Sequence, residues 1–372
     1  MTSFIQENLA DLKAFADVSA HIGARPDYVQ GGGGNTSVKL DGGLMAVKAS
    51  GFRLSDVRHD GAYSVLDCMS LRQFYLEADP AAFPDIEKEG AARAKAAVCP
   101  IDGIEALRPS VEAGFHSILD TFVAHSHAVY ANFAACAAEC GDIVRSAMEG
   151  AEYACGIVPY VDPGARLTFA VRDELRRVET ACGKRPRVFF LANHGIIAHD
   201  GDPAECLRLH EDANRRIATA FGVSFGSFPS LALHETAEGL LEADCPFLSE
   251  RIASGVFGED FFLEKPLYPD QMVFLAGSFS FGDGLPEEGT CLADPRTGRI
   301  RFRMPESRAR VILETLVAVV FVADAAHRAG KTLVSMGDAA KSFITGWESE
   351  KYRRSLLNCK RSLGNLNESE RW

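Results

Sequence analysis

From residue 108 the chain reads Arg-Pro-Ser-Val-Glu-Ala-Gly-Phe-His, and from residue 121 Thr-Phe-Val-Ala-His-Ser-His. The second run is β-branched and aromatic and predicts a strand, on which His125 and His127 point to one side together. The first run predicts a short helix over 111–119. Pro109 opens it, Ser110 is a capping type, and Glu112 and His116, four apart, share a face. Two imidazoles converging on one side, with a carboxylate on the preceding helix, begin a zinc-type site that needs a third nitrogen. His194 offers it, at the end of a buried strand over 187–191 and just before Gly195, a place for a ligand more than for routine packing. His116 either orients Glu112 or a ligand from behind or is a packed helix histidine. His21, His59, His199, His210, His234 and His327 have no such constellation around them and read as surface or core residues.

Two further stretches carry donors. Gly31 to Gly34 let the backbone approach a ligand closely, and Asn35, Thr36 and Ser37 follow with groups suited to an oxyanion. This is neither a Walker loop nor the dinucleotide fingerprint, and a plain helix-to-strand turn reads equally well. Lys48-Ala49-Ser50-Gly51 is a second small turn just past a strand end.

Elements must hold these groups in place. An amphipathic helix is expected over 1–24, and a hairpin with strands 38–40 and 44–47 around Asp41-Gly42-Gly43. A short strand over 62–66, a helix around 86–98 and an Ala-rich helix over 128–138 follow. Next come a strand over 156–161, a helix over 167–182 and a helix over 202–221. From about residue 236 prolines and glycines break up short strands at 272–275 and 300–302. A long apolar helix is expected over 308–327, another over 337–356, and a frayed polar tail over 365–372. The expected division is therefore a first domain over 1–238 and a smaller α+β module over 239–372 of open role.

The 372 residues are 47% hydrophobic, ample for a core, and carry a net charge of -12. That balance speaks against nucleic-acid or anionic-membrane binding. No apolar run reaches membrane-spanning length. The first residues lack the basic and apolar regions of a secretory leader. Ten cysteines without a framework fit reduced thiols, and the expected location is cytoplasmic.

In order and spacing, Gly34-Asn35-Thr36-Ser37, Lys48-Ala49-Ser50-Gly51, Ser110-Val111-Glu112 with His116, His125-Ser126-His127 and Asn193-His194-Gly195 resemble the class II aldolase/adducin family. The resemblance covers about residues 5–225. The Lys-Ala-Ser-Gly and Pro-Ser-Val-Glu forms look most like the aldolase part of bifunctional rhamnulose-1-phosphate aldolase/dehydrogenase proteins, without a dehydrogenase half. The resemblance implies an α/β, three-layer αβα fold around a central, mainly antiparallel sheet. It implies homo-oligomers, often tetramers, with sites at subunit interfaces. It implies a divalent metal, usually Zn2+ with Mn2+ or Fe2+ as alternatives, on His125, His127 and His194. Glu112 would then be the acid/base, and Gly34, Asn35, Ser50, Gly51 and Ser110 would hold the phosphate or hydroxyl end of a sugar. Imidazole ligands without cysteine, beside a mobile carboxylate, suit a catalytic site that opens for substrate.

The implied reaction is cleavage of a ketose phosphate or related sugar into dihydroxyacetone phosphate and an aldehyde through a metal-stabilised enediolate. A 4-epimerase or dehydratase on the same scaffold, and a non-catalytic adducin-like binding protein, are the alternatives. The family's epimerases tend to carry aspartate where Glu112 stands, and adducin-type members lose the metal histidines. Val111 departs from the family's phosphate-binding pattern, where a second serine is common. Lys48 or Arg53 could replace that donor, or the substrate could lack a phosphate. Tyr153 and Tyr160 are candidates for the family's tyrosine proton donor.

Overall fold

A computed structural model describes residues 3–346. The tail expectation at 365–372, and the part of the last expected helix beyond Gly346, lie outside these residues.

Seven strands form the main sheet: β1 Asn35–Leu40, β2 Leu44–Lys48, β3 Tyr63–Asp67, β4 Phe122–Ser126, β5 Ala154–Val158, β6 Pro186–Leu191 and β7 Gly195–Asp200. Their order is β3-β2-β1-β4-β7-β6-β5, antiparallel throughout except for the β5–β6 pair. Successive side chains point to opposite faces, and the sequence places apolar groups on both. Ala46, Ala124, Phe190, Ile196 and Ala198 enter a core with the helices Leu9–Gly23, Val129–Ala135 and Pro203–Ala220. Their neighbours Met45, Val47, Val123, Phe189, Leu191 and Ile197 enter a second core with the helices Cys68–Glu77, Ala113–Ile118 and Ala165–Cys182. The result is a three-layer αβα arrangement around a mainly antiparallel sheet.

The C-terminal portion adds a five-stranded sheet: β8 Ala232–Glu235, β9 Leu241–Asp244, β10 Phe279–Phe281, β11 Cys291–Ala293 and β12 Ile300–Phe302, ordered β10-β11-β12-β9-β8. The expected strand over 272–275 is instead the end of a helix, Pro269–Leu275. Pro269 takes its first turn, where a missing N–H costs nothing, and Asp270 follows where a carboxylate favours the helix dipole. The long apolar helix is Glu306–Arg328, and it packs on Val129–Ala135. Phe321 lies 5.5 Å from Phe133 and 5.9 Å from Phe247, ring centre to ring centre. One core cluster thus runs from Leu12 and Phe15 through Phe133 to Phe302 and Val319.

Candidate metal centre

The strand register brings the chemistry to one end of the sheet. Asn35 of β1 stands opposite His125 of β4, and Ser37 opposite Val123. Opposed residues share a face, so Asn35, Ser37 and His125 all look toward the Ala113–Ile118 helix. Glu112 precedes that helix and His116 lies within it. His127 follows the end of β4, and His194 sits in the turn between β6 and β7. Asn193, next to it, holds the left-handed conformation at φ 49°. Two hydrogen bonds fix it there, its Nδ2 donating to Leu267 O at 2.8 Å and Val334 O at 2.7 Å. Asn132 Nδ2 donates to the carbonyls of both His127 and His194, 3.4 Å each, tying the two histidine-bearing segments together.

One ring nitrogen from each of His125, His127 and His194 falls within 4.8 Å of the others. All three residues and Glu112 are no more than 4% exposed. His125 Nδ1 donates to Ile196 O at 3.0 Å, which leaves Nε2 as the acceptor. That Nε2 is buried without a hydrogen-bond partner. His127 Nδ1 is bonded to Asp270 Oδ2 at 2.5 Å. Glu112 carboxylate oxygens lie 3.7 Å from His125 Nε2 and 3.4 Å from His194 Nε2. Three converging imidazoles beside a carboxylate, with the far nitrogens of His125 and His127 held by Ile196 O and Asp270, are a donor set that fits a divalent transition-metal ion.

Behind Glu112 runs a buried polar chain. Ser37 Oγ lies 2.7 Å from His116 Nδ1, His116 Nε2 bonds Asn35 Oδ1, and Asn35 Nδ2 donates to Glu112 Oε2 at 2.5 Å. With Asn35 Oδ1 accepting, His116 carries its proton on Nε2 and takes one from Ser37, a tautomer assigned from the network. Burial holds His116 well below its usual value, so it is neutral. His116 is a fully buried helix residue, and its bond to Asn35 places it one step behind Glu112.

The remaining donors gather around this chain. Ser110 Oγ accepts from Asn35 Nδ2 (3.1 Å) and Glu112 N (3.3 Å). Ser50 N bonds Arg108 O, while Ser50 Oγ is buried without a hydrogen-bond partner. Gly34 enters β1 at φ 67°, so close to β4 that a Cβ there would lie 2.7 Å from His125 O. Gly51 turns at φ 89°. Lys48 Nζ donates to Phe52 O (2.7 Å) and Gly32 O (3.3 Å), joining the two loops. Arg53 reaches instead toward Glu314, 3.5 Å away.

Neither tyrosine candidate reaches the histidines by any contact seen here. Tyr153 donates to Asp212 at 2.9 Å, and Tyr160 packs against the small apolar cluster that contains Val273, Phe274 and Val311. Tyr268, which sequence reasoning passed over, stands 6.4 Å from the His127 ring, with its hydroxyl 3.5 Å from Gln30 Oε1. Asp270 was missed with it. Their Tyr-Pro-Asp-Gln setting reads only as a turn or helix start. His199 and His210 are core residues, paired with Asp120 and Ser126.

A family model, the class II aldolase and adducin N-terminal domain, matches residues 13–220. Solved structures of low identity resemble the chain. The N-terminal class II aldolase domain of a conserved protein from Thermoplasma acidophilum is 22% identical, at a TM-score of 0.46, over 56% of this chain and 92% of that one. A sugar-phosphate aldolase from Thermotoga maritima is 13% identical, at 0.42, over 57% and 94%. The L-fuculose-1-phosphate aldolase from Thermus thermophilus is 16% identical, at 0.34, over 56% and 92%. None of the curated proteins compared with the sequence matches it.

Proposed function

The chain belongs to the class II aldolase and adducin family, and on that premise we propose that it is a metal-dependent aldolase acting on a ketose phosphate or a related sugar. The products would be dihydroxyacetone phosphate and an aldehyde. The observation that carries this reading is the group formed by His125, His127 and His194 with Glu112 against two of their nitrogens. An adducin-like scaffold has no need of such a group.

His125, His127 and His194 would hold the ion, with Zn2+ first and Mn2+ or Fe2+ as alternatives. When bound, it supplies a Lewis acid that polarises a carbonyl and takes up negative charge beside it. Cleavage removes the proton of the hydroxyl that becomes the aldehyde, and a proton must later reach the carbon left behind. Glu112 is the base placed to carry a proton there, steadied by Asn35. Burial of the whole group keeps water away and strengthens each charge interaction. Ser50 Oγ, buried and without a hydrogen-bond partner, would supply a donor for the far end of the sugar, together with Ser110 and the Gly34 and Gly51 backbone; Asn35, whose amide donates to Ser110 and Glu112, would join them by exchanging one of these bonds. Lys48, which donates to Phe52 O and Gly32 O, and Arg53, 3.5 Å from Glu314, are the candidates to replace the second serine that the family's pattern has where Val111 stands. We take the working form to be a homo-oligomer, a tetramer by family habit.

Elemental analysis of the purified protein tests the reading, with His125→Ala alongside. About one divalent transition-metal ion per chain is expected of a three-histidine site, and its loss in the variant. Ketose phosphates are then screened for dihydroxyacetone phosphate release. Metal bound equally by His125→Ala would overturn the site. Metal bound at the histidines, with a sugar phosphate epimerised or dehydrated but never cleaved, would move the reaction to the epimerase or dehydratase alternative.

A further inference from the structure

The family match ends at residue 220, yet the metal centre does not. His127 Nδ1 meets Asp270 Oδ2 at 2.5 Å, across 143 residues of sequence. The Asp270 side chain is fully buried at the start of the Pro269–Leu275 helix. Room for this pair is made by Gly33. A Cβ there would lie 2.5 Å from Asp270 Oδ2 and 2.9 Å from His127 Nδ1, closer than a real Cβ approaches anything. Three further ties bind the same portion of chain to the loops of the centre. Glu314 accepts from Gly31 N at 3.0 Å, and Leu267 O and Val334 O accept from Asn193. The helix carrying Asp270 is itself fixed, because Gln271 bonds Leu267 N and the carbonyls of Phe261 and Phe262.

A metal-binding imidazole has one nitrogen for the ion and one for the protein, and a carboxylate on the second fixes both the tautomer and the ring angle and raises the basicity of the first. His125 has only a backbone carbonyl in that place, from Ile196. His127 has a buried carboxylate. We propose that Asp270 is a positioning residue of the metal centre: it holds His127 with Nε2 turned toward His125 and His194 and makes it a stronger donor than His125. The C-terminal portion is then a structural part of the centre and not a cover laid over it. This rests on the metal reading above.

The test compares the unaltered chain with Asp270→Asn, Asp270→Ala and Glu314→Gln. Each is titrated with Zn2+ against a chromophoric chelator, and each is loaded with Co2+ for its visible spectrum. Asp270→Asn keeps the shape and removes the charge. It is expected to weaken Zn2+ binding by roughly 10-fold or more, within the ~10–100-fold scale of such outer partners, and to shift the Co2+ bands. Asp270→Ala should lose more. Glu314→Gln makes the same change of carboxylate to amide on a neighbouring tie that does not touch His127, and should leave affinity and spectrum unchanged. Asp270→Asn binding Zn2+ as tightly as the unaltered chain, with the same Co2+ spectrum, would overturn the proposal. So would an equal loss in Glu314→Gln, which would trace the effect to general packing. An unaltered chain that binds neither ion would overturn the metal reading, and this proposal with it.

Discussion

Glu112 takes a hydrogen bond from an amide. Asn35 donates to it at 2.5 Å, and Asn35 is in turn fixed by His116, a neutral imidazole. A neutral support can orient a carboxylate without pinning it in the charged form, which suits the proton-carrying role proposed for Glu112. Glu112→Gln keeps the shape and the Asn35 contact zone but cannot carry a proton. It should retain the metal and lose turnover by roughly 10²-fold or more. Full turnover in a metal-loaded Glu112→Gln sample would remove Glu112 from its role. This part of the centre was legible from residue types and spacing. The expected same-side spacing of His125 and His127 survives although His127 lies just past the end of β4, and the four-residue step from Glu112 to His116 survives although Glu112 stands just before the helix. The link through Asn35 was not legible as such, because it depends on the pairing of β1 with β4, distant in sequence, which sets Asn35 opposite His125.

On β1 sits an unusual lysine. Lys39 Nζ donates to His116 O at 2.7 Å and to Asp120 O at 2.5 Å, stitching the end of the Ala113–Ile118 helix to the sheet. Burial pushes its ammonium down from the ordinary 10.5 to about 8. Below about 8 both folded and unfolded chains hold the proton, and the folded one bears the full cost of sheltering the charge. Between about 8 and 10.5 the unfolded chain binds more protons than the folded one, so this group's contribution to stability rises with pH. Lys39→Met cancels that term while leaving other titrations in place. In urea unfolding, the unaltered chain should therefore gain on Lys39→Met as pH climbs from about 8 towards 10.5. A difference that stays flat would show that the lysine keeps its ordinary proton affinity. Most strands of the main sheet were read close to their true places, since alternation and turn residues dominate there, but β7, Gly195–Asp200, was not read as a strand and β1 begins three residues earlier than expected. The 272–275 stretch was misread because four apolar residues carry no period. The helix is set by Pro269 and Asp270 at its start and by Gln271 holding Leu267 and Phe262.

Over the whole chain, we propose a division at 238/239 in sequence, but the core is continuous across it. The Val129–Ala135 helix is buried on every residue, and the Glu306–Arg328 helix packs against it. A chain ended at residue 238 would uncover that helix and lose Tyr268 and Asp270. Such a fragment should expose apolar surface, bind a hydrophobic dye strongly and unfold without a sharp transition. A fragment that is monodisperse and unfolds cooperatively would instead make 239–346 a separable unit. The extent of this wrapping was hidden from sequence reading because its contacts span long separations, such as Tyr268 to Gln30 and Glu314 to Gly31, and leave no local pattern.

Those long separations also set a schedule. At roughly 5–20 residues per second of synthesis, the 143 residues between His127 and Asp270 take roughly 7–30 s to emerge. Throughout that interval the nascent chain already carries two of its three imidazoles, and later all three, while the carboxylate that steadies His127 has yet to be made. On the proposed metal reading, a centre with Asp270 in place can form only after residue 270 has emerged, and the apolar Val129–Ala135 surface needs shelter until the last third of the protein arrives to cover it.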